Sequence, residues 1–302
     1  MTGTSRGAAE MTAAMTISGT IGWFVIVSRQ PVLDVVFWRC LFGAVTLAAA
    51  CAAMGLLRPG VLSGRQVLLA ALGGIAVVLN WLLLFGAYGR SSITVATTVY
   101  NTQPFMLVGL GMLLFRERPS VAKLQWLALA FGGVLLLAKA APDAARGGSN
   151  YGIGILMALG AAFFYALAAI VAKALTGVAP ILIVLVQTLV GASILAPLAH
   201  LTTLPTGGAT WAALITLGAV HTGVVFILLY GALQKLPTPL AGALSFVYSL
   251  VAIGVDVTAF GRRLHPLQIF GAAAILLAAA GTTLGWTPLR RPGPHPSGRP
   301  VD

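Results

Sequence analysis

The sequence predicts an all-α polytopic membrane protein of ten transmembrane helices in two inverted five-helix repeats. Three observations predict it. Apolar residues make up 59% of the 302 and charged residues only 8%, with a mean hydropathy of +0.97, whereas a soluble domain carries about 25% charged residues. Ten apolar runs, each near the ~20 residues that cross a bilayer, are joined by short loops. The second half also repeats the first without a gap. Lipid, not water, is therefore the main surrounding of this chain.

The runs fall at 9–27, 33–54, 66–88, 93–115, 121–141, 151–173, 180–200, 209–233, 239–260 and 267–286. At mid-bilayer no water satisfies the backbone, so each run must close its own hydrogen bonds as a helix; barrel strands would alternate polar and apolar residues, and these runs do not. The first run is followed by Ser28, Arg29, Gln30 and Pro31, which is no small-residue cleavage site, so it reads as a retained helix and not a leader. After Trp286 the chain turns to Pro, Gly, Ser and Arg. Such a segment buries little and is expected to be a disordered tail over 288–302.

A formal charge of +12 raises nucleic acid as a partner, but that needs cations gathered on one face. Here they sit at the ends of apolar runs, as membrane topology requires. With the N-terminus cytoplasmic, eleven Lys and Arg fall inside and seven outside; without the tail the bias is slight. Cys40 and Cys51 share one run, roughly 16 Å apart along a helix, beyond disulfide reach.

At an offset of 145 positions Leu83 meets Leu228, Leu84 meets Leu229, Gly86 meets Gly231, Arg90 meets Lys235, Phe115 meets Phe260 and Arg118 meets Arg263. This divides the chain into repeats at 1–146 and 147–287. An odd number of spans per copy brings the second copy in from the opposite side. Inverted repeats permit two equivalent packings around a midplane site, the architecture of alternating access; a duplicated scaffold with no pathway is the bland alternative.

The chain resembles the drug/metabolite transporter superfamily, in particular its EamA-type members with ten helices. The resemblance rests on Gln30 and Pro31 with the Phe37, Trp38, Arg39 triplet; on Pro104; on Phe115, Arg116, Glu117, Arg118; and on Gln187 and Pro239 in the second half. Gly261, Arg262, Arg263 stand where the family often has Gly-Glu-Arg, so no role of that acidic residue carries over. The resemblance implies cytoplasmic termini, a bacterial inner membrane and export of small metabolites. The aromatic amino-acid exporter branch is similar as well.

Polar side chains deep in a span face a neighbouring helix or a watery cavity. Asn80, Tyr100, Asn101, Gln103, Tyr165, His221 and Tyr248 are the candidate substrate-binding residues; Tyr100 and Asn101 crowd one turn beside Pro104, which frees a backbone carbonyl. Aromatic faces with amides and hydroxyls suit an amphiphile such as an amino acid, while helix-to-helix hydrogen bonding is the competing role. His221 is the only histidine well inside a run and fits either a neutral core histidine or a proton carrier. Asp256 lies within reach of Arg262 or Arg263, so an ion pair competes with proton coupling. Arg39, one turn into its run, is expected to snorkel to the headgroups, with binding of a substrate carboxylate as the alternative, and Glu117 to form a local charge cluster with Arg116 and Arg118.

An intramembrane enzyme would need a nucleophile with its base, paired carboxylates or metal ligands. One deep histidine and one acidic residue placed clearly within a run do not supply them. No Walker A motif, His-Glu-x-x-His or Cys pair occurs, so no cofactor or metal is expected. The reading is an exporter of amino acids, aromatic or neutral, by alternating access, with nucleosides, organic cations or other metabolites as alternative cargo.

Overall fold

The computed structural model describes residues 3–58, 60–90, 93–139, 151–201, 204–260 and 266–286. The expected tail and the loop holding Arg262 and Arg263 lie outside them, as does the side chain of Asp256. Among the described residues there are fourteen α-helices and a π-helical segment, and no strand. Every apolar run falls on helix.

The first run forms α1 (Gly3–Ser18) and α2 (Ile21–Ser28), followed by α3 (Val32–Ala53) and α4 (Gly64–Tyr88). The fourth run is divided into α5 (Ile93–Tyr100) and α6 (Gln103–Phe115), and α7 (Val121–Lys139) ends the first half. The second half holds α8 (Tyr151–Ala174), α9 (Pro180–Leu195) and α10 (Gly208–Gly218), which runs through a π segment (Ala219–Val224) into α11 (Val225–Lys235). The ninth run is α12 (Thr238–Ser245) and α13 (Val247–Phe260), and α14 (Pro266–Leu284) is the tenth. Five helical stretches are long and apolar enough to cross a bilayer: Gly3–Ser28, Val32–Ala53, Gly64–Tyr88, Gly152–Ala174 and Gly208–Lys235.

Several runs are broken, and most of the breaks have a local cause. Pro104 has no N–H for the Tyr100 carbonyl, so the chain tightens there, with Thr102 N–H donating to Val99 O at 3.0 Å and Asn101 Nδ2 to Thr97 O at 2.8 Å. The α12–α13 break at Phe246 has no proline beside it; Ser245 Oγ donates to Ala241 O at 2.9 Å, a back-bond that bends helices. At the 145-residue offset this break coincides with the α5–α6 break. Helix α9 stops at Leu195, two residues before Pro197 and short of the expected 200.

The packing respects the same correspondence. Helix α4 lies along α8, and α1 along α11; these pairings exchange when the two halves are swapped. Helices α3 with α9, α6 with α12, and α7 with α14 each join a run to its own counterpart. The close approach of α4 to α9 is glycine-built: a Cβ on Gly74 of α4 would stand 2.8 Å from Gln187 Cα and 3.0 Å from Gln187 O of α9.

Gly74→Ala should therefore force α9 away and cost about 1–3 kcal/mol, read as a lower thermal midpoint in detergent. Gly109→Ala, with open space around the added methyl, should leave that midpoint unchanged or slightly raised. Equal midpoints for the two variants would remove the close-approach account.

Candidate functional site

A cavity with about 560 Å³ of empty space, counting its open mouth, lies between the two halves. From the first half it is lined by α1 and α3 through Ser18 and Arg39, by α4 from Asn80 to Tyr88, and by Tyr100 and Gln103 at the α5–α6 break; the second half supplies Tyr165, Val225, Phe226, Leu229 and Tyr248. At the 145-residue offset Asn80 corresponds to Val225, Trp81 to Phe226, Leu84 to Leu229 and Gln103 to Tyr248. All eight line the cavity. Trp81 and Phe226 meet edge to face, centroids 5.5 Å apart and planes at 86°.

Five of the seven residues singled out from sequence thus come together here: Asn80, Tyr100, Gln103, Tyr165 and Tyr248. Asn80, 2% exposed, donates from Nδ2 to the Tyr100 hydroxyl at 3.1 Å and to Ala161 O of α8 at 2.8 Å, which ties α4 to the other half. Tyr100 and Tyr165 stand edge to face with centroids 6.1 Å apart. The other two lie outside the lining. Asn101 accepts from Ser249 Oγ at 3.1 Å, binding the two broken runs to each other. His221 in the π segment has Thr20 Oγ1 2.8 Å from Nε2 and Thr216 O 3.3 Å from Nδ1.

Arg39 corrects the snorkelling expectation. It is 1% exposed and points into the bundle, because α3 packs along α9 and the π segment and not against lipid on this face. Its Nε donates to Thr222 Oγ1 at 2.7 Å and Nη2 to His221 O at 3.0 Å. The guanidinium carbon lies 3.9 Å from the centre of the Trp81 ring, a cation–π contact that is strong when desolvated. A side chain entering the i→i−4 ladder is a recognised cause of helix distortion, and here it coincides with the π turn, where Thr222 Oγ1 reaches back to Leu217 O at 2.9 Å.

Three buried side-chain polar atoms among the described residues have no hydrogen-bond partner: Arg39 Nη1, Gln103 Oε1 and Gln187 Nε2. The first two belong to residues lining this cavity. Gln187, whose Oε1 accepts from the Tyr230 hydroxyl at 2.6 Å, lines a smaller void behind Trp81. Sequence reasoning weighed Arg39 for a substrate carboxylate but preferred the headgroups, and it passed over Tyr88 and Phe226. The available signal was a cation one turn inside an apolar run, with Trp38 beside it and the nearest acidic residue, Asp34, off its helical face.

Polar ties close one end of the bundle, away from Tyr88. Lys235 Nζ lies 2.5 Å from Glu10 Oε2, and Arg6 Nε 3.0 Å from Glu10 Oε1. Glu117 does not form the expected local cluster; it reaches across to α8 and α12, with Oε1 3.2 Å from Lys173 Nζ and Oε2 accepting from Thr238 N at 3.2 Å and from the Thr238 hydroxyl. Lys173 Nζ also donates to Leu236 O at 2.7 Å. At the other end Asp34 Oδ1 accepts from His200 N at 3.0 Å.

The family model of EamA-like transporters matches the chain twice, over residues 7–139 and 152–284. The chain belongs to the EamA-like transporter family. A similar protein is the uncharacterized transporter YxxF of Bacillus subtilis (strain 168), 30% identical over 294 residues, covering 96% of this chain and 91% of the relative. A solved crystal structure shares the fold with a TM-score of 0.81 at 19% identity, covering 93% of this chain and 97% of the other. This EamA-like protein is therefore a multi-pass membrane transporter of ten helices in two repeated domains, acting on a small molecule, and not an enzyme by family.

Partial burial pushes the Glu117 carboxyl up, but the Thr238 hydroxyl and the Lys173 ammonium outweigh burial and hold it below its ordinary value. A carboxyl so lowered contributes stability that is fully present above its unfolded value of about 4.3 and is lost as pH falls below that toward the folded value. Glu117→Gln should cost about 1–2 kcal/mol of stability at pH 7, read as a lower thermal midpoint. Its midpoint should also fall less steeply than the wild type's below about pH 4.5. Parallel pH profiles would show that the carboxylate is not a tie.

Proposed function

We propose that this transporter exports small metabolites, amino acids with aromatic or neutral side chains foremost, by alternating access around the cavity between its halves. The halves are inverted repeats, 1–146 and 147–287, with both termini and the tail 288–302 on the cytoplasmic side of a bacterial inner membrane. One observation carries the reading: the cavity is lined by equivalent positions of the two repeats. A pocket on a pseudo-symmetry axis has two equivalent ways to open, one to each side. The coincident breaks in the fourth and ninth runs support the same reading, since broken helices at mid-membrane are where transporters place their sites.

In this orientation the ties among Glu10, Lys235, Glu117, Lys173 and Thr238 lie at the cytoplasmic end, and the cavity reaches Tyr88 toward the outside. The structure then corresponds to an outward-directed state whose cytoplasmic end is latched by side chains from both halves. Rocking the halves breaks the latch, opens the cavity to the cytoplasm and admits substrate. The aromatic walls accept an apolar side chain, and the amide and hydroxyl groups of Asn80, Gln103 and Tyr248 accept polar ends.

Purified protein in liposomes should show saturable flux of amino acids; failure across amino acids, nucleosides and organic cations would sink the transport proposal. An imposed pH gradient that accelerates the flux assigns proton antiport, and indifference to it assigns facilitated diffusion. Tyr100→Ala and Gln103→Ala should each lower flux at least several-fold without reducing membrane insertion, and unaltered kinetics in both would take them out of the site. Because Cys40 and Cys51 are buried, Arg58→Cys and Thr206→Cys, at nearly corresponding loops of the two repeats, can be labelled selectively. A membrane-impermeant maleimide should reach them from opposite sides; labelling of both from one side would refute the inversion.

A further inference from the structure

We infer that Arg39 is the anchor for a substrate carboxylate, so that the cavity takes monocarboxylates with an aromatic or apolar body, amino acids among them. The inference deepens the transport proposal and rests on it. A guanidinium has five N–H donors in a planar fork. Thr222 and the His221 carbonyl hold Nε and Nη2, and Trp81 covers a face. The corner left over is Nη1, buried and without a partner on a residue that lines the cavity.

A buried cation ordinarily comes with a counter-charge, because desolvating an unpaired charge is costly. The described carboxylates are engaged elsewhere: Glu10 with Arg6 and Lys235, Asp34 with His200, Glu117 with Lys173. Neither the two hydrogen bonds nor the ring supplies a full negative charge. A carboxylate entering the cavity supplies it and meets the free corner of the fork with charge-assisted hydrogen bonds. This makes binding energy out of a charge that the empty protein holds at a cost.

The rest of the lining sets the body of the ligand. Arg39 is the only charged residue among the described lining side chains, so a monoanion is neutralised and a phosphate dianion is left half-compensated. Organic cations are repelled. Gln103 Oε1, the other partnerless polar atom on the lining, is an acceptor for an ammonium group, and Trp81, Phe226 and Tyr165 offer flat apolar faces.

The test is binding of matched pairs to the purified protein at pH 7 by calorimetry: L-phenylalanine with L-phenylalaninamide, L-leucine with L-leucinamide, and benzoate with benzamide. At least one acid should bind at least ten-fold more tightly than its amide, and the preference should vanish in Arg39→Gln. Inorganic phosphate at equal concentration should not displace the acid. Amides that match their acids, a preference that survives Arg39→Gln, displacement by phosphate, or no binding by any acid would each overturn the anchor. If the variant does not insert, the wild-type pairs alone decide. Liposome flux of a solute lacking a carboxylate, with no preference for acids, overturns the anchor and leaves transport standing; absence of flux for every solute overturns transport itself.

Discussion

A guanidinium with no counter-charge among the described residues, set in the middle of an apolar bundle, is the constraint around which this structure is arranged. Arg39 is tolerable there only because the π turn turns Thr222 and the His221 carbonyl toward it and because Trp81 lies beneath it. The π turn and Trp81 belong to different helical runs. Small residues let the runs approach: a Cβ on Gly43 of α3 would stand 3.1 Å from Thr222 and 3.3 Å from Thr188. Packing and polar chemistry are thus coupled, since any movement of α3 against α10 and α11 also moves the charge.

Backbone satisfaction accounts for the remaining irregularities. In lipid an interrupted helix is tolerated only where protein groups or a cavity take up the freed N–H and C=O groups. The α5–α6 break meets that condition with Asn101 and the turn at Thr102, and it leaves Tyr100 and Gln103 facing the cavity. Its counterpart at Phe246 places Tyr248 on the same cavity. Breaks and site coincide because a helix that stays regular presents side chains only, whereas a broken one can bring its residues around a pocket.

The two ends of the bundle are closed by different chemistry. At one end, partly exposed ion pairs join α1 to α11 and the α6–α7 loop to α8 and α12. Such pairs are weak individually, which suits contacts that must open and reform within a transport cycle. The middle is held by buried aromatic and amide contacts that close packing makes hard to deform gradually, so the halves are expected to move as units.

Run positions, run number and internal repetition were legible in the sequence, because lipid leaves a helix as the only form for a continuous apolar stretch and duplication leaves matching residues at a fixed offset. Much of the cavity lining was legible too: Asn80, Tyr100, Gln103, Tyr165 and Tyr248 are polar groups too deep to leave unpaired, and depth can be read along the chain. Asn101 and His221 show the limit, since depth does not tell which neighbour takes a polar group. The direction of Arg39 and the π turn were decided by tertiary structure alone. An arginine one turn from a helix end has a water-side rotamer and an inward rotamer available, and only the neighbours supplied by distant segments, Trp81 from one run and Thr222 from another, made the inward one the lower in energy.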